Sequence, residues 1–153
     1  MRIYLVGFMG CGKTTYGKEL AKELNFNFLD LDEEIERISG TSINDLFFKS
    51  ETVFRELETN TLLTTASLNN YVIATGGGTA CFNGNMDWMK KNGITVYLKL
   101  TVKELFERLI SEKNHRPLLK DIPNCELSNH VQNTLKLRKQ FYERADITIS
   151  PRG

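Results

Sequence analysis

The segment Gly7-Phe8-Met9-Gly10-Cys11-Gly12-Lys13-Thr14 follows directly on the apolar run Ile3-Tyr4-Leu5-Val6. Its spacing, G-x-x-x-x-G-K-T, constrains this chain more than any other feature. Glycines at these positions let the backbone curl so that successive N–H groups point inward at an anion. The helix that follows adds its positive N-terminal end, Lys13 neutralises outer phosphates, and the Thr14 hydroxyl can ligate Mg²⁺. A glycine turn before a helix is the plain alternative. Placement between a strand and a helix favours the phosphate-binding reading.

The rest of the chain alternates short apolar strands with amphipathic helices. Ile3 to Val6 is continuous rather than alternating, which suits a strand covered on both faces. A helix from Thr14 to about Leu24 should turn Leu20, Ala21 and Leu24 to one side, and Phe26 to Leu31 is the next strand. Helices are expected over Glu33 to Ile38, Asn44 to Lys49 and Glu51 to Leu68, with Gly40 as a stop and Ser42 and Ser50 as caps. Tyr71 to Ala74 and Ile94 to Leu100 read as strands, and Asn85 to Lys91 as a short helix. Thr101-Val102-Lys103-Glu104 carries the reciprocal capping pattern of a helix running to about Ser111. The periodicity then fails from Glu112 to Glu126. A helix from Ser128 to Arg144 and a strand from Asp146 to Ile149 complete the pattern. Five strands separated by helices imply an α/β fold with a parallel sheet covered on both faces, a three-layer sandwich. Ligands of such sheets sit beyond the carboxyl ends of the strands.

Composition narrows the class further. The 153 residues suit one domain spanning 1–153. Lys+Arg 20 against Asp+Glu 19 leaves a net charge of +1, so no basic excess offers itself to nucleic acid. Apolar runs such as Ile3 to Met9 are too short to span a bilayer. The three cysteines, Cys11, Cys81 and Cys125, lie far apart without a neighbouring His pair. That argues against a disulfide framework or a zinc site and points to the cytoplasm.

Three strands end in chemically loaded sequence: Gly7 to Thr14, Asp30 to Asp32, and Gly76 to Gly78. Alternation along the second strand would put the Asp30 and Asp32 carboxylates on one face, aimed at the phosphate loop. The bland reading of the pair is a solvated cap on the next helix. Gly76-Gly77-Gly78, straight after a buried strand, suggests close approach of a ligand to bare backbone rather than a flexible connector. Arg116-Pro117-Leu118-Leu119 lies in the irregular stretch, which is long enough for a closing lid over about 112–126. A lid arginine could meet the transferring phosphoryl group. Arg55 and Arg138 fall on helices, where an arginine taken singly is ordinarily a surface charge. His115 and His130 join no ligand motif, and the Leu62/Leu63 and Leu135/Leu137 pairs read as core.

In order along the chain, these residues resemble the shikimate kinases, small P-loop kinases. The resemblance rests on Gly7 to Thr15, Phe28-Leu29-Asp30-Leu31-Asp32, Phe54-Arg55 with Glu58, Thr75-Gly76-Gly77-Gly78, Arg116-Pro117-Leu118-Leu119, and Arg138 with Tyr142. It implies a strand order of 2-3-1-4-5 and transfer of the ATP γ-phosphate to the 3-hydroxyl of shikimate. Carried over position by position, Gly10, Cys11, Gly12, Lys13, Thr14 and Thr15 hold phosphates, with Thr14 and Asp30 at Mg²⁺. Asp32 binds the shikimate hydroxyls and is the candidate base. Arg55, Arg138 and the turn Gly76, Gly77 and Gly78 complete the acceptor site within a helical segment over about 32–60 and its surroundings. Arg116 is the lid arginine, and Arg108 is the candidate for adenine contact. The resemblance also implies a monomer without nucleic-acid or membrane partners.

Two rivals stay open on sequence alone: another small P-loop kinase acting on gluconate or a nucleoside monophosphate, and a nucleotide-binding module that transfers nothing. Cys11 adds one further expectation. The plain reading is a small residue that fits the loop; the alternative is a thiolate favoured by inward N–H groups and a helix N-terminus, which should be alkylated unless ATP protects it.

Overall fold

The computed structural model describes residues 1–112 and 122–151. In chain order the elements are β1 (Arg2–Val6), α1 (Lys13–Leu24), β2 (Asn27–Asp30), α2 (Leu31–Ser39), α3 (Ile43–Lys49), α4 (Glu51–Thr64) and β3 (Tyr71–Ala74). They continue with α5 (Asn85–Asn92), β4 (Ile94–Leu98), α6 (Val102–Glu112), α7 (Asn124–Tyr142) and β5 (Ile147–Ile149). The strands form one five-stranded sheet in the order β2-β3-β1-β4-β5, and every pairing is parallel. This is the α/β architecture and the 2-3-1-4-5 order expected from the sequence.

Register decides where the site lies. Asp30 pairs with Ala74, and Ala74 pairs with Leu5. The carboxyl ends of β2, β3 and β1 are therefore level, and the three loaded segments leave the sheet side by side. β1, β3 and β4 are buried at nearly every residue, on both faces of the pleat, because helices cover the sheet from either side. Tyr4, Leu5, Ile73 and Leu98 are among the residues that fill this core.

Local chemistry sets several boundaries away from the sequence expectation. β2 stops at Asp30 rather than Leu31, because the Asp30 carboxylate accepts hydrogen bonds from the Asp32 and Glu33 amides and starts α2 at once. Asp32 thus sits on the first turn of a helix, so strand alternation does not place it. α4 ends at Thr64, and Thr65–Ser67 tighten into a 3₁₀ turn. There the hydroxyls of Thr64, Thr65 and Ser67 each bond back to a carbonyl three residues earlier, competing with the α-helical ladder. α7 begins at Asn124, four residues before the expected Ser128, immediately after Pro123. Proline has no amide to satisfy and serves as a helix start. At the other side of the expected irregular stretch, α6 reaches Glu112.

Ser42, Ser50 and Gly40 cap as expected, and Thr101 and Glu104 exchange amide hydrogen bonds at 3.0 and 3.1 Å. The leucine expectations need correction. Leu62 is buried, but Leu24, Leu63 and Leu137 face solvent, at 42%, 42% and 71% exposure. Leu62 and Leu63 are one residue apart and Leu135 and Leu137 two, spacings that place the members of each pair on different faces of a helix.

Gly93, between α5 and β4, packs where no side chain fits. An added Cβ would lie 2.5 Å from the Arg2 carbonyl oxygen and 2.9 Å from the Tyr4 ring. Backbone cannot step aside cheaply, so Gly93→Ala should lower stability by about 1–3 kcal/mol, read as a reduced urea midpoint. An unchanged midpoint would refute the packing argument.

Candidate active site

The phosphate loop connects β1 to α1. Gly10 and Gly12 hold φ values of +80° and +94°, a left-handed conformation that costs other residues energy. Lys13 is buried, and its ammonium donates to the Gly7 and Phe8 carbonyls at 2.6 and 3.1 Å. It is therefore held over the loop it is expected to serve. Cys11 is 1% exposed and part of the core, with its Sγ 3.8 Å from the Lys13 ammonium beneath the loop. That burial agrees with a small residue that fits the loop and leaves the alternative, a reactive thiolate, without access to solvent.

Asp30 does two jobs with its two oxygens. Oδ1 accepts from the Asp32 and Glu33 amides at 3.0 and 3.3 Å, while Oδ2 accepts from the Thr14 hydroxyl at 3.1 Å. The helix-cap reading thus holds for one oxygen of this carboxylate, while the other reaches the phosphate loop. An alcohol and a carboxylate oxygen side by side at the loop suit Mg²⁺, a hard cation that keeps most of its shell as water and phosphate oxygens. Among the described residues no group of three or more His, Cys, Asp or Glu could hold a metal ion. The donor set fits an ion that arrives with a nucleotide.

Asp32 stands beside them with its carboxyl pushed up to about 6. Burial is the main cause, the negative charges of Asp30 and Glu58 add to it, and Lys13 opposes them. Gly76 leaves it room, because a Cβ there would come within 3.0 Å of Asp32 Oδ1 and 3.3 Å of Glu58 Oε2.

Arg55 is a second buried cation of the site, at 8% exposure rather than on the surface. α4 delivers it, and Glu58 one turn later accepts from its Nη1 at 2.9 Å. The guanidinium lies over the Phe82 ring at 4.0 Å, with Phe54 and Phe47 at 5.1 and 5.4 Å. These aromatic faces favour a cation that has left water. Gly78 lies against it so closely that a Cβ would sit 2.6 Å from both Nη atoms. That close approach by a side chain is a physical reason for a bare backbone at Gly78.

The same turn is held from α7. The Tyr142 hydroxyl donates to the Gly77 carbonyl, and burial pushes that phenol's pKa upward, which keeps it a donor. Arg138, one turn earlier, approaches Gly77 closely enough that a Cβ would lie 3.4 Å from its Nη1.

These groups meet around one cleft of about 470 Å³. Its wall includes Gly10, Gly12, Lys13, Thr14, Thr15, Asp30, Asp32, Arg55, Arg138 and the turn Gly76, Gly77 and Gly78. Arg108 joins them, its Nη1 donating to the Gly10 carbonyl at 3.4 Å. Arg116 and His115 lie outside the described residues, as does most of the expected lid. Sequence reading missed Thr79 and Asn85, both buried beneath the turn. No spacing marks a lone Thr or Asn, so no signal could have found them.

A phosphate loop at the end of a parallel 2-3-1-4-5 sheet, opening on an acid and two arginines, defines a P-loop kinase. The shikimate kinase family model matches residues 9–153. The shikimate kinase of Parabacteroides distasonis is 45% identical over 149 residues, covering 97% of this chain and 86% of its own. The crystal structure of shikimate kinase from Bacteroides thetaiotaomicron is similar with a TM-score of 0.94 at 42% identity, over 98% of this chain and 86% of that one. The Acinetobacter baumannii shikimate kinase, solved in complex with shikimate, has a TM-score of 0.90 at 40% identity, covering 99% of this chain and 84% of its own. The chain belongs to the shikimate kinase family, ATP-dependent phosphotransferases with an alcohol acceptor.

Thiol access yields a direct check. Cys125 is exposed, Cys11 is buried, and burial pushes the half-buried Cys81 up to about 11 despite Arg138 and Arg55 nearby. Iodoacetamide on the native protein should label Cys125 first, leave Cys11 unmodified, and show no protection by ATP. Rapid, ATP-sensitive labelling of Cys11 would overturn the assignment.

Proposed function

We propose that this cleft transfers the γ-phosphoryl group of ATP to the 3-hydroxyl of shikimate, giving shikimate 3-phosphate and ADP. The observation that carries this reading is the single cleft, whose wall holds the phosphate loop together with Asp32, Arg55 and Arg138. A ring with hydroxyls and one carboxylate needs an acceptor group and cationic forks, and these residues supply both.

In the proposed roles, the loop amides from Gly10 to Thr15 and the Lys13 ammonium bind the nucleotide phosphates. Thr14 and Asp30 would hold Mg²⁺, which when bound neutralises charge on the β- and γ-phosphates. Arg55 and Arg138 take the acceptor's carboxylate and, with the backbone from Gly76 to Gly78, fix the ring. Asp32 accepts a hydrogen bond from the attacking hydroxyl. As the new O–P bond forms and the bond to the β-phosphate oxygen breaks, the hydroxyl proton passes to Asp32. Transfer of this kind depends mainly on positioning and charge neutralisation, so orienting the hydroxyl is the larger part of that role. Arg116, known here from sequence alone, is the remaining cation assigned to the phosphoryl group. Residues 1–153 act as one catalytic unit, working as a monomer in the cytoplasm. No helix among the described residues is long and apolar enough to cross a membrane.

The test is ADP release from Mg-ATP with shikimate, run beside gluconate, AMP and CMP. ADP that depends on shikimate alone is the expected result. Turnover with another acceptor instead would keep the phosphate site and overturn the acceptor. Binding of ATP without turnover on any of the four would favour a module that transfers nothing.

Asp32→Asn should lower kcat by about a hundredfold or more while ATP binding by calorimetry stays near that of the parent. Near-normal turnover in that variant would sink the role.

A further inference from the structure

We propose that Thr79 is a positioning residue for the acceptor's carboxylate. It holds Glu58 to a one-point pairing with Arg55 and so leaves the rest of the guanidinium to the substrate. The inference rests on the reading that Arg55 receives that carboxylate.

Thr79 is completely buried, and its hydroxyl is engaged on both sides. Oγ1 accepts from the Gly76 amide at 2.9 Å and donates to Glu58 Oε2 at 2.7 Å. A hydroxyl has one proton to give, and here it goes to Glu58. Glu58, 1% exposed, has its other oxygen on Arg55 Nη1 at 2.9 Å. Arg55 Nε is buried and makes no hydrogen bond within the protein. Its closest other carboxylate, that of Glu51, is 3.8 Å away.

A carboxylate with both oxygens free tends to close on a guanidinium at two points. Glu58 is near enough to do this, and Thr79 is the group that occupies its second oxygen. Without that hydroxyl, Glu58 can turn both oxygens onto Arg55. A second of the guanidinium's five donors would then be spent on an internal partner, in competition with the incoming carboxylate. The same hydroxyl also fixes the Gly76 end of the turn whose Gly78 rests on Arg55. Thr79 is itself anchored from α5, where Asn85 Nδ2 donates to its carbonyl at 2.9 Å.

The experiment measures kcat and both KM values for Thr79→Val, Thr79→Ala, Thr79→Ser and Arg55→Ala, and for Thr79→Val combined with Arg55→Ala. Circular dichroism and Tm monitor the fold. Thr79→Val keeps the shape and removes the hydroxyl, so KM for shikimate should rise by about tenfold while KM for ATP stays put. Thr79→Ala should behave alike, and Thr79→Ser should restore the parental KM. In the Arg55→Ala background, Thr79→Val should add nothing further.

A folded Thr79→Val with parental shikimate KM overturns the proposal. So does an equal rise in both KM values, a penalty that adds fully to Arg55→Ala, or loss of the fold in both Thr79→Val and Thr79→Ala. If Arg55→Ala itself leaves shikimate KM unchanged, the failure lies in the carboxylate assignment beneath the proposal. If Arg55→Ala raises it and Thr79→Val does not, only the role of Thr79 falls.

Discussion

The register of the parallel sheet is the constraint on which everything else depends. Asp30, Ala74 and Leu5 lie level across β2, β3 and β1, so three loops leave the sheet at one height and face one another. A slip of one residue in either pairing would send side chains to the opposite face of a sheet buried on both sides. The core therefore enforces the alignment that the site needs. Chemistry is concentrated in the few residues after each strand end because only there do separate parts of the chain meet with their backbone groups unspent.

Charge is handled with the same economy. The cleft brings Asp30, Asp32 and Glu58 close to Lys13 and Arg55, and each of these groups except Asp32 is engaged with another protein group. Asp30 shows this best, since one oxygen caps a helix while the other meets Thr14. Arg55 is taken out of water but compensated by Glu58 and by three aromatic rings. Buried ion pairs contribute little net stability, whereas removal of one partner is costly. Such a pair is better understood as holding a cation in place than as holding the fold together.

Much of this was legible in the sequence for reasons that can be named. The phosphate loop is a local pattern whose glycines and lysine are fixed by backbone geometry, and the strand order came with the family resemblance. Arg55 and Arg138 look like surface charges one at a time, and only the resemblance raised them above that. The tethers that hold the site were not legible. Thr79, Asn85 and the Tyr142–Gly77 bond join residues far apart in sequence or carry no spacing signal. The reversals at Leu63 and Leu137 have a related cause, since hydrophobicity marks a residue as able to be buried without saying which helix face the tertiary packing will cover.

Helix α7 runs for 19 residues, roughly 28 Å at the standard helical rise. Its last residue, Tyr142, is bonded to the Gly77 backbone, and Arg138 lies one turn back from that point. Its first turns are held as well, because Leu127 and Val131 are fully buried. Mechanically, this is a beam clamped near both ends, with the arginine close to one clamp. Such a beam resists rotation about Tyr142, so the guanidinium four residues away keeps its place against the turn.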